Sequence, residues 1–507
     1  MSFLNQKKWI NLVSDVGFQI LFFFLIISSV FYLVNLQGFF GEFYFLTDLA
    51  ANDFQIMEIL KGSLGYGAYS RFQFNHPGPI YFYFLAFAEK VFVFFESEYS
   101  RYVLLTYVLN VICLGVSLYQ ITKTYQSFLS GFLLFVSFLF VTYSLGFTFF
   151  FETWTPYVMV CPFLLYVISV IQVIEKQWNF LPIFFLLGSL IFQLNIMGAV
   201  PFGIGILFLL YHLYQFQKKG DFPDQKKFKL HLGISVLVLV VVWLPVLYDF
   251  LVHFPGNISK VIGYLLKGGG SKKPFEVIGF LNTTFVQMFH FPYALGFYLV
   301  IVLVPYWKKL HLDSFSKNLR NFTSLYTFIT LLTLFRMKGP IVPHLFWHFF
   351  AVIALQMFLL IRSMPWKHIP IKWNLGFVAF VTLLSVVMVL SFGKVPGKER
   401  NLYVKEIVSL VQGLDENFVL HWEMNERDFS QGNLVLGVAS RLNRNGKKVC
   451  FQEPWLFLVP KPYHCSESDT RNATLLLFES SETRFPNLEM VKNEVHYQDT
   501  KIKVIKP

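Results

Sequence analysis

The chain has 507 residues and is 55% hydrophobic and 19% aromatic, with only 14% charged residues. A soluble domain carries about 25% charged residues, so this composition excludes a disordered chain and a nucleic-acid-binding module. The charge is unevenly placed: residues 393–507 hold 16 Lys/Arg and 15 Asp/Glu, which leaves 26 basic and 15 acidic residues for the first 392 positions. The sequence therefore predicts an α-helical polytopic membrane module over 1–392 and a small extracytoplasmic α/β domain over 393–507.

A spanning helix needs about 20 apolar residues. Stretches at 18–36, 79–95, 102–122, 127–148, 157–174, 180–196, 199–215, 231–248, 291–306, 321–335, 344–361 and 376–392 meet or approach that length. The first is too long for a signal-peptide core and reads as an uncleaved anchor. Basic clusters set the orientation: Lys7 and Lys8, five lysines in 216–230, Lys308 to Arg320, and Arg362 to Lys372 should all be cytoplasmic. Two cytoplasmic segments must be separated by an even number of crossings, so one stretch before 216 does not cross. Residues 79–95 are the candidate, because they begin with Pro77-Gly-Pro79 and carry Glu89 and Lys90. They are read as a helix in the outer interface. About eleven spans remain, in a multi-pass cell (inner) membrane protein with its N-terminus inside and its C-terminal domain outside. The net charge of +12 is then topological: inner segments carry 16 basic and 5 acidic residues, while outer loops before 393 carry 10 of each.

In the tail, 402–414 and 433–444 read as helices and 418–423, 447–451 and 474–479 as strands. Cys450 and Cys465 lie in this exported part, where a disulfide persists, and are expected to pair. Cys113 and Cys161 sit in spans and read as inert core residues.

The first outer loop, 37–101, is long for a membrane connector and holds seven of the ten outer acids before residue 393. Long loops of this kind usually carry function. Residues 52–61 read as a short helix with Asn52 as its cap. Asp53, Ile56, Met57 and Leu60 fall on one face, the face that should meet the membrane or the bundle. A carboxylate there is desolvated, which raises its pKa toward the range useful to a general base. Asp48, five residues earlier, is a second candidate. The run from Tyr69 to Pro79 places Arg71, Asn75 and His76 beside a backbone stiffened by Pro and Gly. Other outer segments hold Glu152-Thr-Trp154-Thr-Pro156, Trp243-Leu-Pro245 at the close of a span, and Asp249 with Pro255-Gly-Asn257. Arg336 and Lys338 put positive charge outside, against the usual bias, and suggest a phosphate partner.

Taken together, Asp53-Phe-Gln-Ile-Met-Glu58, the Tyr69–Pro79 run, Trp154-Thr-Pro156-Tyr157 and the Trp243–Asn257 blocks resemble the GT-C superfamily of membrane glycosyltransferases. The match is to a bacterial branch and covers about residues 40–392. The resemblance implies an enzyme that takes a hexosyl or pentosyl group from a polyprenyl-phosphate donor. It implies inverting transfer to a glycan, glycolipid or protein acceptor hydroxyl on the extracytoplasmic face, in cell-envelope glycan synthesis. It implies a first-loop acid as base, Asp53 or Asp48, and outer cations on the carrier phosphate, Arg71 and His76. The same resemblance places Asn75, Glu58, Trp154 and Asn257 with Arg336 and Lys338 in the substrate-binding set. The loop lacks a tight D-x-D or E-x-D pair, so neither metal nor cofactor is expected. Two rival classes are a transporter or flippase of lipid-linked glycans and an O-antigen-type ligase or polymerase. The first should show repeated halves or charged, broken midplane helices, the second a long late outer loop, and the sequence shows neither.

Overall fold

A computed structural model describes residues 15–35, 42–70, 72–220, 222, 224–253, 256–266, 269–307, 312–364, 401–422, 430–491 and 494–506. They separate into two compact units. One is drawn from Met1–Gln37, Thr106–Leu244 and Leu265–Val395, the other from Gly38–Leu105, Pro245–Tyr264 and Pro396–Pro507. The expected span at 376–392, and Lys7, Lys8, Lys308, Lys309, Lys367 and Lys372, lie outside the described residues.

The helices in chain order begin with α1 (Val16–Val34), α2 (Thr47–Leu60), α3 (Ile80–Val91), α4 (Glu98–Tyr125), α5 (Phe128–Thr142), α6 (Thr155–Val158) and α7 (Val160–Ile174). They continue with α8 (Leu181–Leu194), α9 (Ala199–Lys218), α10 (Gln225–Val252), α11 (Asn257–Leu266), α12 (Pro274–Phe289), α13 (Ala294–Leu303), α14 (Ser314–Phe335) and α15 (Phe349–Ser363). The tail adds α16 (Leu402–Val411), α17 (Ser430–Arg444) and α18 (Glu467–Asn472).

Six helical stretches among the described residues are long and apolar enough to cross a membrane, and a pair bent by 87°, Pro274–Phe289 with Ala294–Tyr306, makes a seventh. The chain is a multi-pass membrane protein. In the first unit every residue of α7 is buried, whereas α10 leaves Leu237, Val241 and Leu244 exposed. Such a helix, apolar and exposed, is solvated by lipid. Glu175, just past α7, accepts hydrogen bonds from Ser314 and Asn318 at the start of α14, at 2.8 and 2.7 Å. Helices α7 and α14 therefore run antiparallel, and the end of α14 lies at the same end of the bundle as the start of α6. A buried Tyr326–His348 hydrogen bond of 2.6 Å ties α14 to the residue before α15.

Three expectations are corrected here. Pro245 does not end its helix: α10 runs through it to Val252, since a proline removes one hydrogen bond and flanking apolar turns carry the helix past it. Residues 274–289, unassigned from sequence, form α12. Its polar Asn282, Thr283 and Thr284 interrupt the apolar run that a span search looks for. The helix at 52–61 begins earlier, at Thr47, with Leu46 in the cap position, so Asn52 is an interior residue. Asp48 stands in that first turn, where the helix dipole favours a carboxylate.

The second unit gathers the first long loop, 245–264 and the tail. Helix α3 has 12 residues, too few to cross a bilayer. A two-stranded hairpin, β1 (Tyr69–Ser70) and β2 (Phe74–Asn75), precedes it. The tail is a four-stranded sheet of β3 (Asn417–Trp422), β4 (Lys448–Phe451), β5 (Thr474–Val491) and β6 (Glu494–Ile505), in the order β4-β3-β5-β6. Strand β3 is parallel to β4 and β5, and β5 is antiparallel to β6. Val404, Ile407, Val438 and Leu442 on α16 and α17 are buried, as are Val419, Leu420, Phe451 and Phe478 on the sheet. Strand β6 was not predicted. Its centre, Gln498-Asp499-Thr500-Lys501, is a continuous polar run that carries no strand pattern, as suits an edge strand. Cys450 and Cys465 are joined by a disulfide, with Cα atoms 5.0 Å apart.

Candidate functional site

The site in the second unit is built on the N-terminal turn of α2 and the hairpin that follows. Tyr69 on β1 pairs with Asn75 on β2, and the His76 N–H donates to the Ala68 carbonyl at 2.7 Å. This tight return needs Gly67, where an added Cβ would stand 2.4 Å from the His76 carbonyl oxygen. The Tyr69 hydroxyl donates a short hydrogen bond to Asp48 Oδ1. Burial, with the neighbouring carboxylate, pushes the Tyr69 phenol far up, so it stays a donor. Asp48 itself is half-buried. Thr47 beside it holds φ 53°, a left-handed conformation uncommon for a β-branched residue. His76 is half-buried, and desolvation pushes its imidazole down to about 4. It is neutral at pH 7 and supplies no positive charge there. Arg71 lies outside the described residues.

Asn75 and Asn257 are brought together as a structural tie. The Asn257 side chain accepts from the Asn75 N–H at 2.7 Å and donates to the Asn75 carbonyl at 2.9 Å. Asp249 holds the tie in place, accepting from the Asn257 N–H and the Tyr66 hydroxyl, both at 2.8 Å. The two sequence blocks that carry these residues are thus one piece of architecture.

Asp53 lies elsewhere on the same helix, fully buried against α17. Arg444 Nε donates to its Oδ2 at 2.8 Å, and Arg444 Nη2 to its Oδ1. Ser440 donates to Oδ2 at 2.6 Å. Arg444 also reaches both oxygens of Glu89, at 2.9 and 3.1 Å, and the Tyr102 hydroxyl at 2.9 Å. Burial raises the Asp53 pKa, while Arg444 and Ser440 pull it down. Desolvation pushes the Glu89 carboxyl up, but Arg444 together with Tyr102 and Arg101 more than offsets it and holds it below the usual carboxylate range. The stripe of Asp53, Ile56 and Met57 thus faces the tail rather than lipid. With no exposed surface, Asp53 presents nothing to an acceptor in this arrangement.

Arg444 and Ser440 escaped the sequence reading, though a signal was present. Gly437, Ser440, Arg441 and Arg444 share one face of the helix, beside the buried apolar positions Val435, Val438, Ala439 and Leu442. Small residues there allow close approach: a Cβ on Gly437 would meet the Phe45 carbonyl at 2.5 Å. Glu58 joins the same contact, paired with Lys61 at 2.9 Å, and Lys61 donates to the Tyr463 hydroxyl at 3.0 Å.

The remaining candidates belong to the first unit. Arg336, exposed, caps α14, and Lys338 is half-buried. Gly269 and Gly270 pass so close that a Cβ would stand 1.8 and 2.5 Å from the carbonyls of Arg336 and Met337. The Lys272 N–H bonds the Phe335 carbonyl at 3.0 Å. Lys272 and Lys273 follow that crossing in sequence. Trp154 is half-buried and packs against Tyr157, His344 and Trp347.

No protein-family model matches the chain, and no curated relative does. The fold is nevertheless shared with solved structures. ArnT from Cupriavidus metallidurans bound to undecaprenyl phosphate superposes with a TM-score of 0.60 at 12% identity, over 95% of this chain and 97% of that one. Its apo state gives 0.58 at 12% identity with the same coverage. The mycobacterial arabinofuranosyltransferase AftD, a mutant structure, aligns at a TM-score of 0.44 and 11% identity, over 96% of this chain and 41% of that chain.

Proposed function

We propose that the chain is a GT-C-type membrane glycosyltransferase moving a sugar from a polyprenyl-phosphate donor to an acceptor hydroxyl at the extracytoplasmic face. The observation that carries this reading is the fold, shared along nearly the whole chain with a protein solved with undecaprenyl phosphate bound. The charge asymmetry of the loops supports the orientation.

Of the two first-loop acids, Asp48 is the better base. It is half-buried rather than sealed, and Tyr69 fixes its carboxylate. The left-handed Thr47 beside it is the kind of backbone outlier that clusters at active sites. Asp48 takes the proton of the acceptor hydroxyl as its oxygen attacks the anomeric carbon. The bond from that carbon to the carrier phosphate oxygen breaks, and the polyprenyl phosphate leaves. Negative charge grows on that phosphate, so cations aimed at it lower the barrier. From the sequence, the outer cations Arg71, Arg336 and Lys338 are the candidates for that role. His76, neutral at pH 7, offers the anion an N–H donor rather than a charge. Asp53 anchors the tail on α2, and Asn75 and Asn257 hold the hairpin. No metal or cofactor is required.

The test is mass spectrometry of envelope glycans and glycolipids from a gene-deleted host, complemented with wild type, Asp48→Asn or Asp53→Asn at matched membrane levels. Wild type should restore one sugar, and Asp48→Asn should lower its transfer by about 10²–10⁴. Restoration by Asp48→Asn equal to wild type would remove Asp48 as the base. No glycan change on deletion would remove the enzyme reading.

A further inference from the structure

The first unit contains a group of side chains that the reaction above leaves unused. Tyr157 and Trp347 lie with ring centroids 4.3 Å apart, Trp154 and His344 4.8 Å, and Trp154 and Trp347 5.6 Å. All four residues are half-buried rather than sealed. Glu152, two residues before Trp154, is also half-buried and makes no hydrogen bond or ion pair with any described residue. The sequence explains the clustering. Pro156 opens α6 just after Trp154, and Pro343 opens a turn, Pro343–Phe346, that presents His344 and then Trp347.

We propose that Glu152, Trp154, Tyr157, His344 and Trp347 form the site that holds the sugar ring of the lipid-linked donor. This rests on the glycosyltransferase reading and names where its donor sugar binds. Aromatic faces carry partial negative charge and attract the C–H face of a pyranose or furanose ring. A few polar groups among apolar walls then fix its orientation. A membrane-interface belt also uses Trp and Tyr, but it has no use for an unpaired, half-buried carboxyl group. Burial pushes Glu152 up to about 7, so near neutral pH it both donates to and accepts from a sugar hydroxyl. A carboxylate also repels phosphate, which assigns this group to the sugar rather than the carrier anion. The chain supplies the link to the donor: Lys338 and His344 are six residues apart, a reach of at most about 20 Å. One short segment thus offers cations for the phosphate and rings for the sugar.

The full chain in nanodiscs would be titrated with undecaprenyl phosphate and with a panel of undecaprenyl-phosphate hexoses and pentoses, following intrinsic tryptophan fluorescence. One sugar lipid should bind the wild type more tightly than the bare carrier. Trp347→Ala and Glu152→Ala should each weaken that sugar lipid at least tenfold and leave the bare carrier within twofold, which also shows that the variants are folded. Glu152→Gln, which keeps a donor and an acceptor, should restore most of the affinity. Wild-type binding of that sugar lipid should fall above pH 7, and Glu152→Gln should flatten the profile. Equal weakening of both lipids, unchanged binding of both, or a defect confined to the acceptor KM would overturn the assignment while leaving the glycosyltransferase reading standing. Wild type that binds neither lipid would overturn both.

Discussion

Asp53 and Arg444 are 391 residues apart in the chain, yet the guanidinium of one grips both carboxylate oxygens of the other. Asp53 is fully buried and the Arg444 side chain is 9% exposed, so the pair is desolvated. Removing one partner of such a pair leaves a buried charge uncompensated and costs about 3–5 kcal/mol. Arg444→Ala strands Asp53 and Glu89 together and should be the worse lesion. Asp53→Asn leaves Arg444 still paired with Glu89 and should cost less. A double-mutant cycle in thermal unfolding should give a coupling of about 0.5–3 kcal/mol. Simple additivity would mean that the pair does not hold the tail on α2. Transfer per folded molecule should survive Asp53→Asn far better than Asp48→Asn.

That relationship marks where the sequence stops being legible. Periodicity put Asp53, Ile56, Met57 and Leu60 on one face; the first three are buried, but so is every residue from Ala50 to Glu58, and Leu60 is half-buried, so α2 is covered all round rather than along one stripe. The pattern could not say what covers them, because a stripe reports burial and not its partner. The partner lies almost four hundred residues away, on a helix whose sequence gives no sign of what its polar face meets. The long apolar helices, the shortness of α3 and the α/β tail were readable because their patterns are local. The openness of Asp48 and the closure over Asp53 were not, since both are properties of packing. Asn75 and Asn257 each looked like ligand contacts in their own blocks, and only the fold shows them bonded to each other.

His76 should make stability depend on pH in a defined window. Its folded pKa, about 4, lies below the ordinary 6.5. Between those values the unfolded chain binds the extra proton, so the contribution is present above about 6.5 and is lost as pH falls toward 4. Each pH unit of separation is worth about 1.4 kcal/mol, which bounds the effect at about 3 kcal/mol. His76→Gln should flatten this part of the thermal-midpoint profile. An unchanged slope would show that the imidazole titrates normally in the folded protein.

The Cys450–Cys465 bond closes a segment with a sequence separation of 15. A loop of that length is worth about 3 kcal/mol through the entropy of the unfolded chain. Cys450 lies on β4 and pairs in register with Val419 on β3, so the loss should be felt in the sheet. Cys450→Ser with Cys465→Ser, or reduction of the wild type, should lower the unfolding midpoint and speed amide exchange in 448–465. The two treatments should agree. If neither moves the midpoint, the bond adds nothing to a sheet already fixed by its core.

The Asn257 side chain bonds both backbone groups of Asn75, at 2.7 and 2.9 Å, and so sets the hairpin that presents Tyr69 to Asp48. Asn257→Ala leaves a donor and an acceptor of Asn75 unmet at about 1–3 kcal/mol, or lets water replace them. Either way the hairpin loosens locally while the remote spans stay intact. Hydrogen exchange should quicken at 68–76 with little change in α7. On the proposed role of Asp48 as base, transfer should slow through kcat more than through KM, because the lost element is that carboxylate's placement rather than a contact to either substrate. Asn257→Asp keeps the acceptor for the Asn75 N–H but loses the donor and adds a charge beside Asp249, so it should not rescue. Full activity in Asn257→Asp would assign the tie to the N–H contact alone.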